Sequence, residues 1–455
     1  MQKRYDVVII GGGFSGVMLA CQLCRCCSGN LSIAVLERSG KPGRGVAFKS
    51  QHPRHLLNVP AGRMSAFPDQ PEHFVAWLGQ HMPAIAGAGE FVPRSLFGAY
   101  VGEQFDRTLA ETKHDLQWMN DEAISIRAPE SHLHTVELRS GSRLQTRYVV
   151  LSTGNFPPTD PAPFGKNGKH TYVKYAWSDN ALRDLPNSES ASILLLGSGL
   201  TAVDQILALH ATEFRGHIYM LSRRGLMPCT HRLGDRWPTD WTQNLPNTAL
   251  GLVRAARNEI RNAIAEGCDW RPVIDSLRSC TQKIWLTLPA RERARFLRHV
   301  RPHWEVHRHR YAPQVQSVVD DLQSANRLTV LAGRVLECRY DSQCAEVLYQ
   351  NRNSRQESIL RVDRIVNCTG PEANFRRMND PLTQSLMSQK LARSDGLSLG
   401  LDVTGDGALI DANGTPSQSL FAIGPLRKGC LWETTAVPEI REQARDLALY
   451  LAEQL

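Results

Sequence analysis

An α/β fold of two wound strand-and-helix units, one interrupting the other, is predicted for this 455-residue chain by three observations. Two glycine-rich turns, Gly11-Gly12-Gly13-Phe14-Ser15-Gly16 and Gly197-Ser198-Gly199-Leu200-Thr201-Ala202, each follow an apolar β-type run and open a helix-compatible stretch. Two strands, Tyr148 to Gly154 and Arg364 to Gly370, both end on Thr-Gly. Between them lies a long helical stretch, at about 236–325, that neither unit requires.

Each glycine of such a turn has a mechanical task. The first permits the tight strand-to-helix turn, the second lets the backbone approach a pyrophosphate, and the third brings helix close to strand. The anion then rests on the helix N-terminus. This Rossmann-like reading gives two dinucleotide sites, and the end of the next strand separates them. The first unit runs Leu31 to Glu37, and the Glu37 carboxylate, followed by Arg38, is placed for ribose hydroxyls; that suits FAD or NAD and repels a 2′-phosphate. The second runs His217 to Ser222-Arg223-Arg224, whose guanidinium groups suit the 2′-phosphate of NADPH.

The remaining elements follow in order. Gly43-Arg44-Gly45-Val46-Ala47-Phe48 and His55-Leu56-Leu57-Asn58-Val59-Pro60-Ala61-Gly62 succeed the opening β-α-β. Residues 72–118 read as helical, and Arg147 to Gly154 as a buried strand reaching glycine. Pro157, Pro158, Pro161 and Pro163 exclude helix and central strand, which makes this stretch a crossing linker. The second unit starts near Ala191, and Arg364 to Gly370 marks the return. Near the end, Ser419 to Gly424-Pro425 is a strand running into glycine, and Val437-Pro438 opens a terminal amphipathic helix, proline being favoured in a first turn. Its N-terminus is suited to the flavin N1/O2 edge, or the helix is simply docked. The expected domains are 1–160, the first part of an FAD domain; 161–335, an NADPH domain with a helical insertion at about 236–325; and 336–455, the second part of the FAD domain.

Composition bounds the reading. With 42% hydrophobic and 22% charged residues the chain is an ordinary globular protein, and no apolar run approaches the roughly 18 residues that span a bilayer. Eleven cysteines, an odd number, suit reduced thiols and a cytoplasmic setting. Cys21, Cys24, Cys26 and Cys27 fall on the first helix with no second cluster to complete a metal site, so no metal is expected. The net charge of +8 is partly local: Arg291 to Arg310 holds seven arginines and four histidines. We rank that segment first as a pocket wall, then as a solvated face, and last as a nucleic-acid surface, since two nucleotide cofactors already supply anions.

These motifs together resemble the two-dinucleotide-binding-domain flavoproteins. More closely, Gly43 to Phe48, His55 to Ser65, Ser222 to Leu226, His307 to Arg310 and Ala436 to Arg441 resemble the YdhS-like NAD(P)/FAD-binding proteins, relatives of the flavin-dependent N-hydroxylating monooxygenases. The chain departs from the disulfide reductases in having no cysteine in 38–60, which makes thiol exchange a poor fit. It keeps the flavin-monooxygenase linker pattern only in degraded form, with Phe164 and His170 in place and Lys166 where glycine is usual. Gly424-Pro425 stands where Gly-Asp is usual.

The resemblance implies an FAD-containing, NADPH-dependent monooxygenase that oxygenates an amine or amino-acid nitrogen through a C4a-peroxyflavin, with O₂ as co-substrate and no membrane partner. A reductase or dehydrogenase serving a quinone, a small acceptor or a protein is the alternative, followed by a redox-sensing or RNA-associated flavoprotein. The residues expected to hold cofactor are Gly11, Gly13, Phe14, Ser15, Gly16, Glu37, Arg38, Gly45, Val46, His55, Asn58, Thr153, Gly154, Gly197, Gly199, Leu200, Thr201, Ser222, Arg223, Arg224, Gly370, Gly424 and Val437. Asn58 is also the candidate catalytic residue, orienting a peroxide or the nicotinamide, although His55 and Asn58 serve equally well as turn residues. Arg308 and Arg310 are candidates for a substrate carboxylate.

Overall fold

The structure, a computed structural model, describes residues 3–455 apart from 131, 165–170, 179, 233, 235 and 342. Lys166 and His170 therefore lie outside the described residues. The first unit opens with β1 (Lys3–Ile10), α1 (Phe14–Cys26) and β2 (Ser32–Leu36). Val7 to Ile10 and Ile33 to Leu36 are buried without alternation, as strands covered on both faces are. Next come α2 (His73–His81), α3 (Arg94–Glu111), β3 (Asp115–Met119), β4 (Ala123–Glu130), β5 (Leu133–Leu138) and β6 (Arg143–Leu151). The second sheet begins with β7 (Tyr172–Val173), β8 (Ser192–Leu196), α4 (Leu200–Ala211) and β9 (His217–Ser222).

A helical layer follows: α5 (Ala249–Ala265), α6 (Trp270–Ser276), α7 (Thr281–Thr287), α8 (Ala290–Arg295), a π-helical turn at Phe296–Val300, and α9 (Arg301–Arg308). Then α10 (Pro313–Ser324) leads into β10 (Leu328–Tyr340), β11 (Ala345–Asn351), β12 (Glu357–Val362) and β13 (Arg364–Asn367). The chain closes with α11 (Pro381–Ser388), β14 (Ala408–Ile410), β15 (Pro416–Ala422), α12 (Lys428–Leu431) and α13 (Val437–Gln454).

The first sheet runs β14-β15-β6-β1-β2-β3, with β4 and β5 hung from β6; the second runs β12-β11-β10-β9-β8-β13-β7. β1 lies parallel between β2 and β6, with Ile10 opposite both Leu36 and Leu151. β8 lies parallel between β9 and β13, with Leu196 opposite Leu221 and Asn367. In each sheet the glycine turn thus leaves the carboxyl end of a central strand, where open α/β sheets bind their ligands. Met18, Leu19, Leu23, Phe97, Tyr100, Leu447 and Leu451 are buried together where α1, α3 and α13 cover the first sheet.

Two expectations differ from what is observed. Residues 72–118 are not helical throughout: α2 ends at His81, a short 3₁₀ turn occupies Pro83–Ile85, and β3 takes Asp115–Met119. Pro83 and Pro93 interrupt the helical pattern, and Leu116 is drawn into the sheet beside Ile33 of β2. The helical stretch at about 236–325 also divides. α10 packs on α4 and β10 as part of the second sheet's own cover, leaving α5 to α9 as the added layer.

Candidate functional site

The two glycine turns are built alike, down to their neighbours. Gly11 and Gly197 take φ of +108° and +110°, a region that side chains disfavour. Gly11 N–H donates to Leu36 O and Gly197 N–H to Leu221 O, both at 2.8 Å. A Cβ on Gly11 would strike the Ser152 carbonyl, and one on Gly197 would lie 2.6 Å from the Cys368 carbonyl. Those carbonyls belong to the two Thr-Gly strand ends, so Thr153-Gly154 and Thr369-Gly370 flank equivalent turns. The Ser152 hydroxyl donates to Gly11 O at 2.7 Å and a Cβ on Gly16 would overlap that same oxygen, which fixes α1 tightly against β1.

Around the first turn, Gly12 packs under the Trp118 ring, Gly13 faces Gly45, and Phe14 meets Phe48 and Phe97. Val46 is exposed beside them. The Glu37 carboxylate accepts from Gly12 N–H at 2.7 Å and from the Ser39 N–H and hydroxyl at 2.7 and 2.6 Å, and Arg38 reaches Glu122 at 3.5 Å. Ser15 lies against Gly424, and a Cβ on Gly424 would come within 2.7 Å of its hydroxyl. Gly424 N–H donates to Gln443 on α13, and Thr434 donates to Gly424 O. The N-terminus of α13, at Val437, is thereby tied to the first turn.

At the second turn, Ser198 donates to Ser222 Oγ at 2.8 Å, and Ser222 Oγ accepts from Gly225 N–H. Gly199, Leu200 and Thr201 begin α4, and a Cβ on Gly199 would meet nothing within 4 Å. Arg223 is exposed, whereas Arg224 is held by His303 Nε2 at 3.2 Å and Arg298 O at 3.1 Å.

Residues from both units meet at α4. His55 Nε2–H donates to the Asp204 carbonyl at 3.0 Å, which leaves Nδ1 to accept from Ser50 at 2.6 Å. Burial, with His52 and Arg94 nearby, lowers the His55 pKa to about 4, in keeping with that neutral tautomer. Arg94 forms a buried ion pair with Asp204 at 2.9 Å and lies over Trp177. Burial pushes Asp204 up to about 6 while Arg94 pulls it the other way. His55 is therefore a bridge between units. Asn58, three residues on, is half-buried with an amide that makes no hydrogen bond among the described residues. Arg94 and Asp204 were not singled out in the sequence, because nothing in their local pattern signals a partner more than a hundred residues away.

Arg308 and Arg310 are buried and already face carboxylates: Arg308 reaches Glu433 at 3.0 Å, and Arg310 reaches both oxygens of Asp275 at 2.6 and 2.7 Å. Arg308 Nε and Arg310 Nε and Nη1 nevertheless have no partner among the described residues. Burial pushes Glu433 up, but Arg308, His309, the Trp304 indole and Arg278 together hold it below its usual range.

Residues 8–156 match a family model described as FAD-NAD(P)-binding. Over its whole length the chain superposes on the Kutzneria sp. 744 ornithine N-hydroxylase, a structure described with reduced FAD, NADP⁺ and L-ornithine (TM-score 0.70, 15% identity, 99% of each chain). The chain has a two-dinucleotide flavoprotein fold. The same flavoprotein fold is shared with L-lysine 6-monooxygenase from Pseudomonas syringae (TM-score 0.69, 17% identity, 99% of this chain and 100% of that one). It is shared too with the cadaverine monooxygenase of Erwinia amylovora (TM-score 0.68, 15% identity, 100% and 95%). In sequence the chain is 24% identical over 263 residues to the Baeyer-Villiger monooxygenase ATR8 of Stachybotrys chlorohalonatus, spanning 54% of this chain and 37% of that protein. No helix among the described residues is long and apolar enough to cross a membrane.

Proposed function

We propose that this flavoprotein is an FAD-containing, NADPH-dependent monooxygenase that oxygenates a nitrogen of an amine or amino acid, with O₂ as co-substrate. The observation that carries the reading is the pair of equivalent glycine turns, one with a carboxylate at its ribose end and the other with Arg223 and Arg224. Its whole-length likeness to hydroxylases named for ornithine, lysine and cadaverine supports the class of chemistry. A bound flavin would take hydride from NADPH and pass electrons to O₂.

The chain's own residues have narrower tasks. Gly11, Gly13 and Gly16, with the N-terminus of α1, would receive the FAD pyrophosphate; Thr153, Gly154, Gly424 and Val437 would border the flavin. Glu37 and Arg38 would face the ribose, Gly45 and Val46 would wall that side, and His55 would border the cofactor from the seam with α4. Gly197, Gly199, Leu200 and Thr201 would receive the NADPH pyrophosphate, Ser222, Arg223 and Arg224 its 2′-phosphate, and Gly370 would lie alongside. The Asn58 amide would orient the reacting groups. Arg310 Nε and Nη1 and Arg308 Nε, without partners among the described residues, would serve a substrate carboxylate. Unpaired cysteines throughout support a cytoplasmic setting.

The test is the visible spectrum of the purified protein, followed by NADPH and NADH consumption in air against a panel of amines and amino acids, with peroxide measured. Flavin absorbance and substrate-stimulated NADPH turnover, with oxygen recovered in product and little free peroxide, are expected. Losing a charge-assisted contact is worth about 1.5–3 kcal/mol, so Arg223→Ala should raise KM for NADPH by about tenfold or more and leave KM for NADH unchanged. Turnover that ends only in peroxide or an added quinone would make the protein a reductase instead.

A further inference from the structure

We propose that the helical layer holds a long-chain carboxylate in the cavity enclosed by α5, α7 and α9. The cavity measures about 480 Å³, which lies within the range of roughly 300–1,000 Å³ typical of small-molecule sites. Trp241, Trp285, Phe296, Trp304 and Trp432 line it, with aliphatic side chains of α5 and α7 between them. Three of these indoles have spent their polar edge elsewhere: Trp241 donates to Ser276, Trp285 to Gly429 O and Trp304 to Glu433. What remains facing the hollow is apolar, so a polar molecule would lose its hydration there without recovering hydrogen bonds.

The mouth has the opposite character. Arg257, His299 and His303 border the cavity and are exposed, and no carboxylate is ion-paired with them among the described residues. The nearby carboxylates are engaged, Glu259 with Trp237 and Asn262, and Glu305 with Arg301. His303 is bonded to Arg224, and desolvation with Arg224, His307 and Arg257 nearby lowers its pKa, so the standing charge at the mouth is Arg257. An apolar interior with that guanidinium at its mouth matches an occupant with an apolar chain and a terminal anion. The wall that joins the two regions contains the π-helical turn at Phe296–Val300, a departure from α-geometry that recurs at functional sites.

Binding can be read without turnover, so this inference stands apart from the proposed flavin chemistry. The FAD-loaded protein is titrated with hexanoate, octanoate, decanoate and dodecanoate, following tryptophan fluorescence, with decanol and decylamine as head-group controls. Affinity should rise about fourfold per methylene until the cavity fills. Decanoate should bind more tightly than decanol, and decanol more tightly than decylamine. Arg257→Glu, at an exposed position, should weaken decanoate about fivefold or more while leaving decanol nearly unchanged. Ala256→Phe, which narrows the cavity, should weaken both; where that variant does not fold, the Arg257 variant and the head-group order decide. A flat chain-length series would overturn the proposal. So would equal binding of decanoate and decylamine, or an Arg257→Glu variant that loses NADP⁺ affinity and keeps decanoate.

Discussion

Gly199 and Gly16 look interchangeable in a glycine motif, yet their surroundings assign them opposite sensitivities. Gly16→Ala would force a Cβ onto the Gly11 carbonyl, so the first turn must open and cofactor binding fail together with local packing. Gly199 has φ of ordinary sign and open space beside it. Gly199→Ala should therefore fold with an unchanged urea midpoint, while KM for NADPH rises by about tenfold, because the methyl occupies the approach of the pyrophosphate. A variant that lost stability without losing NADPH affinity would contradict this placement. At this scale the sequence was legible where a residue acts through its own backbone, as at Gly11 and Gly197. It was not legible for Arg308 and Arg310, whose charge was visible but whose partners Asp275 and Glu433 come from other parts of the chain.

Helix α4 is one element through which the two units grip one another, by His55 on its backbone and Arg94 on Asp204. Its pH response has a definite sign. His55, His231 and His309 are each lowered by burial to about 4, against about 6.5 for the unfolded chain. Between those values the unfolded state takes up protons that the folded state refuses, so their contribution, complete above pH 6.5, is lost as pH falls toward 4. Asp204, raised by burial to about 6, acts the other way and favours folding as pH drops through that value. Three groups against one predict a net loss of stability between pH 7 and 5, read from urea midpoints, and His55→Gln should flatten that slope. Elements with strong period and clear breakers were recoverable from sequence, including β1, α1, β8 and α13. The strand β3 was not, since its burial depends on pairing with β2, and the separate allegiance of α10 was hidden because helical periodicity does not name the surface a helix covers.

Across the whole molecule, the added helices are fastened to the C-terminal segment as well as to the stretch that follows β9, where Arg224 holds Arg298 and His303 and Cys229 N–H donates to Val306 O. Gln282 donates to Glu433 O at 2.7 Å, Trp304 and Arg308 engage the Glu433 carboxylate, and Arg278 pairs with Glu439 at 2.8 Å. Glu433→Gln should leave Arg308 as a buried cation without its counter-charge and cost about 3 kcal/mol in urea unfolding, toward the low end for a broken buried pair. Faster proteolysis within 249–308 should accompany it. The general plan, two wound units with a helical addition, was readable from two glycine turns and two Thr-Gly endings. The fastening to the C-terminal segment was not, because it joins segments more than a hundred residues apart.

The contact between Ser15 and Gly424 has a consequence for the order in which the protein is made. The first glycine turn is translated about four hundred residues before β15, Gly424 and α13, which finish its surroundings. At roughly 5–20 residues per second, that delay is about 20–80 s. The second turn gains its last neighbours, Cys368 to Gly370, before then. The nascent chain can thus complete the surroundings of its second glycine turn before those of its first.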